Sequence, residues 1–339
     1  MTERSDLAAN PYFPAPAHPG TGDVEYQQLY RAGRDPSWVW SLLGTLAVAF
    51  CFLIVNAVVA VIGFAVYFLA TGVPQGELED KITALADTDL TTPTSLLFVN
   101  LVLILAIPEV WAATRLFNGL RPGWVTSVAP RVRWKWLAVS FGVSILTLGL
   151  SVFLGALLPA SSDGEELTGG VNDFTTTSLQ FLLVIVLLTP LQAIAEEYVF
   201  RGYLTQAFGG ITAHLWVSRG LAVVVPAVLF ALAHGVQDFP VFVDRLAFGL
   251  TAGILVVATG GLEAGIAQHI VNNVLAFGLA LLVGDITTVL DPQGGSWWDV
   301  LLTVVKSVLF VGLSVWAART MGLQTRADRT VLDASVGRV

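Results

Sequence analysis

Charge is scarce in this sequence. Only 12% of its 339 residues are Asp, Glu, Lys or Arg, against roughly 25% in soluble domains, which excludes an ordinary water-soluble globular protein. Cysteine is almost missing as well. Cys51 stands alone, so no intrachain disulfide can form, and its place in an apolar run makes it a small buried hydrophobe. A basic surplus is also lacking: the net charge of -8 removes the electrostatic basis for a nucleic-acid partner. No basic stretch leads into an apolar core at the start of the chain, so a cleaved signal peptide is not expected. Residues 1–37 instead set Pro11, Pro14, Pro16, Pro19 and Pro36 among polar residues and read as a disordered cytoplasmic tail. Nor is there an internal repeat of the kind that marks many transporter folds.

What the chain has is apolar length. It is 55% hydrophobic with a mean hydropathy of +0.74, and a membrane span needs about 20 apolar residues. Eight segments meet that criterion: Trp38 to Ala70, Thr94 to Phe117, Trp134 to Leu158, Ser178 to Phe208, one from Gly220 that carries His234, Pro240 to Ala258, Leu262 to Val283, and Trp297 to Arg319. The expected fold is an all-α polytopic membrane protein, with one transmembrane domain over 38–320, a catalytic core at 178–283 and a second cytoplasmic tail at 321–339. With the N-terminus inside, fourteen Lys and Arg fall on the inner side and only Lys81 and Arg245 on the outer, so both termini are expected to be cytoplasmic. The outer loops are acidic, with Glu77, Glu79, Asp80, Asp87 and Asp89 in the first and Asp163, Glu165, Glu166 and Asp173 in the second. Asp238, Asp244 and Arg245 read as one solvated outer loop, and Lys306 as a cation that snorkels or pairs across helices.

Three polar clusters interrupt the apolar segments: Glu196-Glu197 followed by Arg201, Phe230 followed by His234, and His269 followed by Asn273. Ionisable groups at membrane depth are costly and mark function. Counted from inner ends near Phe208, Gly220 and Gly261, a rise of about 1.5 Å per residue sets Glu196 roughly 18 Å, His234 roughly 21 Å and Asn273 roughly 18 Å deep. The levels match if Gly209 to Arg219 is an interfacial connector. Residues four apart share a helix face, so His269 projects with Asn273 and Glu197 with Arg201. Glu196 and Glu197 diverge by about 100°; one faces the cavity and the other pairs with Arg201.

A buried carboxylate beside an imidazole has the parts of a general base acting on water. A second imidazole and an amide can stabilise an oxyanion. In this reading Glu196 and His234 activate water, His269 and Asn273 hold the oxyanion, and the whole suffices to hydrolyse an amide. No cofactor is required, while a Zn2+ held by Glu196, His234 and His269 stays open. No Cys or G-x-S-x-G serine supplies a nucleophile. A non-catalytic immunity or scaffold protein and a proton-coupled transporter also remain open readings.

The runs E-E-Y-V-F-R at 196–201, F-A-L-A-H at 230–234 and H-I-V-N-N at 269–273, in this order on apolar segments, resemble the motifs of the CAAX protease and bacteriocin-processing family, also called the abortive-infection or type II CAAX prenyl endopeptidase family. The resemblance implies an eight-helix intramembrane protease whose catalytic set is Glu196, His234, His269 and Asn273, with Glu197 and Arg201 in support. It further implies the lipid bilayer as surroundings and a peptide or protein substrate that is lipid-modified or a bacteriocin precursor. Family descriptions include both metalloprotease and glutamate-dependent chemistry. The polar tail and the lack of organelle signals point to the plasma membrane of a prokaryote.

Overall fold

The computed structural model describes residues 23–87, 90–155, 170–290 and 295–335. Asp89, Asp163, Glu165 and Glu166 of the acidic loops lie outside these residues, as do the first 22 residues of the expected tail and 336–339. Among the described residues eight helices are long and apolar enough to cross a membrane. They are α1 (Ser37–Ala70), α2 (Pro93–Leu116), α3 (Trp134–Gly155), α4 (Thr176–Gly209), α5 (Leu215–Leu232), α6 (Phe239–Thr259), α7 (Glu263–Val283) and α8 (Trp297–Thr320). The protein is an all-α multi-pass membrane protein.

Side-chain caps set several of the boundaries. Thr92 with Ser95 and Thr175 with Ser178 form capping boxes that start α2 and α4, each giving orphaned helix N–H groups a partner. Asp238 caps α6 and His214 caps α5. Because of the His214 cap, α5 begins five residues before the expected Gly220. Gly260, at φ 72°, closes α6 in the left-handed conformation that glycine adopts without a Cβ penalty, and α7 follows almost at once.

Two features of the helices bear on the site. Pro190 lies just after a break at Leu188, where φ is -110°, as expected where a proline removes a helix hydrogen bond. Tyr198–Leu204 then winds as a π-helix directly after the paired glutamates, an irregularity that often accompanies function. Helices α5 and α6 also pack closely. A Cβ on Gly249 would stand 3.0 Å from Ala227 and one on Gly253 3.3 Å from Val223, the small-residue contact that lets membrane helices approach.

The expected tails need correction. Val24–Glu25 (β1) pairs antiparallel with Arg326–Ala327 (β2), and a 3-10 turn at Tyr26–Ala32 sinks Tyr26, Leu29 and Tyr30 into the largest apolar core. The Tyr26 hydroxyl donates to the Val125 carbonyl, and Tyr30 shares a 2.8 Å hydrogen bond with Thr114. Burial pushes the Glu25 carboxyl up, but Arg219, Gln27 and Arg326 outweigh it and hold the group below its ordinary value. At the other end Leu332 is buried, and Trp124 donates to the Ser335 hydroxyl at 2.9 Å. The physical reason is local: Tyr26, Leu29 and Tyr30 recur at helical spacing and bury one face, which the polar composition of the surrounding residues obscures.

Candidate functional site

Helix α4 supplies Gln192, Glu196 and Glu197, α7 supplies His269 and Asn273, and His234 follows the end of α5. His269 is the junction. Its Nδ1 lies 2.9 Å from Glu197 Oε1 and its Nε2 3.2 Å from Glu196 Oε2. When the ring carries two N–H groups it donates in both contacts, and with Arg201 it then balances the two carboxylates, two positive charges against two negative. Such balance is what permits charge in a low-dielectric interior.

The divergence of Glu196 and Glu197 expected from helix geometry is present. Glu197 is fully buried and meets Arg201 at 3.0 Å, while Glu196 lines the cavity. The guanidinium reaches Glu197 at ion-pair distance but without hydrogen-bond alignment, and Glu197 Oε2 has no hydrogen-bond partner among the described residues. Aromatic faces supply part of what is missing. The Arg201 guanidinium lies 4.1 Å from the centre of the Phe230 ring, a cation–π contact strengthened by the dry surroundings.

Phe230 also meets His234 edge-to-face at 4.7 Å, His269 at 5.9 Å and Phe248 at 5.9 Å. It is packing, as its spacing suggests, and it is packing that orders three of the polar side chains. Gly265 leaves room for the Glu197 carboxylate to reach His269. It lies one turn before His269, and a Cβ there would stand 2.6 Å from Glu197 Oε2.

A cavity of about 420 Å³ brings together Glu196, His234, His269 and Asn273. His234 is exposed at its edge, with Nδ1 2.8 Å from the Phe230 carbonyl. A carbonyl only accepts, so Nδ1 carries the proton, and in the neutral ring Nε2 offers a lone pair. Asn273 donates to Gln192 Oε1 at 3.2 Å. The constellation survives the early start of α5 because that helix stops at Leu232 and His234 folds back on the turn beyond.

Two expectations are revised. His269 has both nitrogens directed at carboxylates and holds no donor in reserve for an oxyanion. Asp244 and Arg245 are not a solvated outer loop: they belong to α6 and line the cavity, as does Lys306. The cavity does not open toward the termini. On α7, Glu263 to His269 is buried and Ile270 to Ala276 half-buried, so access lies toward the opposite ends of the helices, where Val289 and Leu290 also line it. Gln192 was missed, although its position four residues before Glu196 places it on the same helix face.

The donor set does not fit the zinc alternative. Among the described residues no group of three His, Cys, Asp or Glu side chains is placed to hold a metal ion.

Comparison with known proteins finds similarity over the same region. Residues 178–275 match the family model of type II CAAX prenyl endopeptidase Rce1-like proteins, and all three polar clusters fall inside that range. An uncharacterized protein of Bacillus subtilis (strain 168), YyaK, is 26% identical over 235 residues, covering 64% of this chain and 73% of YyaK. No solved structure matches.

Proposed function

We propose, from the Rce1-like domain at residues 178–275, that this chain is an intramembrane endopeptidase that hydrolyses a peptide bond of a membrane-associated or lipid-modified protein or peptide. The family supports a protease. The observation that carries the reading is the shared cavity, in which a buried carboxylate, an imidazole lone pair and two amides face one space.

In this mechanism a water lies between Glu196 and His234 Nε2. Glu196 takes its proton as the water oxygen bonds to the substrate carbonyl carbon. The oxyanion accepts from the Asn273 amide and from the Gln192 amide beside it. Collapse breaks the C–N bond, and the proton held by Glu196 passes to the departing amine. Glu197, His269 and Arg201 fix Glu196 in place and do not touch the substrate. A bacteriocin precursor and a lipidated surface protein both suit a cavity within a membrane domain. The excess of Lys and Arg at the end carrying the termini supports a cytoplasmic position for that end, and the cavity then opens to the outer half of the membrane.

Glu196→Gln in the purified, folded chain is expected to lower peptide cleavage by at least about a hundredfold. A chelator is expected to leave wild-type cleavage intact. Retained cleavage in the variant refutes the assignment of the base, and loss on chelation, restored by zinc, refutes the metal-free mechanism.

A further inference from the structure

The cavity holds a cation that the mechanism does not use. Lys306 lies near the middle of α8, is 9% exposed and lines the same cavity as Glu196 and His269. Its Nζ donates to Asn272 Oδ1 at 3.1 Å, a neutral acceptor. Among the described residues no carboxylate lies within ion-pair distance of it; Asp244 is near enough to exert its charge but makes no salt bridge. A buried ammonium costs several kcal/mol without a counter-charge. A structural lysine would be expected to close on Asp244, and this one is turned to an amide instead.

Position adds to the argument. Asn272 lies three residues beyond His269, about 4.5 Å along the helix axis and on nearly the same face. The ammonium therefore stands about one helical turn past the imidazole, within reach of a molecule whose scissile bond sits at Glu196. Arg245, bonded to Gln237, also lines this cavity.

We infer that Lys306, oriented by Asn272, is the cation that receives a carboxylate of the bound substrate and so sets its specificity. The inference rests on the proteolytic reading and adds the class of molecule recognised: a peptide with an anionic group a short distance from the cleaved bond. A terminal carboxylate and an acidic side chain offer the same chemistry.

The test is binding, which does not depend on turnover. The full chain carrying Glu196→Gln, in nanodiscs, is titrated with four labelled apolar peptides of one length: free C-terminus, C-terminal amide, and C-terminal amide with a single Glu or a single Gln. A carboxylate peptide is expected to bind roughly tenfold or more tightly than its amide counterpart, the size of a charge-assisted hydrogen bond. The pair that shows the gain identifies the source of the carboxylate. The preference is expected to vanish in Lys306→Met and to persist in Lys306→Arg. Equal affinities within both pairs, including none measurable, overturn the inference without any Lys306 variant being needed, as does a preference that survives Lys306→Met. Tighter carboxylate binding together with no cleavage by the wild-type chain instead sinks the protease reading and leaves the anion site standing.

Discussion

Gly265 decides whether Glu197 and His269 can meet. An alanine in its place would put a carbon 2.6 Å from the Glu197 carboxylate, and the group that must yield is the one orienting the imidazole. Gly265→Ala is therefore expected to cut cleavage at least about tenfold and to cost about 1–3 kcal/mol of stability from overpacking, even though alanine is the better helix former. Gly278→Ala, on the same helix with nothing within 4 Å of the added carbon, is the control and is expected to keep full activity. Equal behaviour of the two in cleavage and thermal unfolding would show that the close approach is not what matters. At this scale the identities of the polar residues were legible, because charge in an apolar segment stands out. Their pairings were not. Whether Glu196 bonds His234 or His269 depends on the rotation of α7 against α4, which Gly265 sets and no spacing within one helix reveals.

Helix existence was the most legible level, since a run of about 20 apolar residues has few other fates. Seven of the eight expected spans begin within two residues of the observed helices, and the exception, α5, is displaced by its His214 cap. The irregular parts were hidden. The π-helix at Tyr198–Leu204 leaves no mark in the apolar pattern. The N-terminal segment misled for another reason: average composition over Met1 to Ser37 is polar, while Tyr26, Leu29 and Tyr30 form one apolar face whose partner strand lies some 300 residues away in sequence, as the pairing of Glu25 with Arg326 requires. Read as a tail, this segment loses its contribution; observed, it closes the bundle at one end, with Tyr30 edge-to-face on the fully buried Tyr203. What it leaves uncovered is the other end, where the cavity opens.

The whole molecule is polarised, with basic residues at the end that carries both termini and acidic ones at the end where the cavity opens. A cytoplasmic N-terminus therefore makes the cavity accessible from outside, contrary to a reading that counts depth from inner helix ends alone. In a Cys51→Ser background, Val236→Cys, on the turn beside His234 and 99% exposed, is expected to react with a membrane-impermeant maleimide in intact cells. Met321→Cys, at the end of α8, is expected to react only after permeabilisation. The reverse pattern would place the cavity on the cytoplasmic side. The central claim, that Glu196 drives attack by water within the bilayer, is tested most directly by a single turnover in oxygen-18 water followed by mass analysis of both product and protein. The account predicts one heavy oxygen in the new C-terminal carboxylate, none in the Glu196 side chain, and no product from Glu196→Gln. Label in the Glu196 carboxylate, or a product free of label, would contradict it.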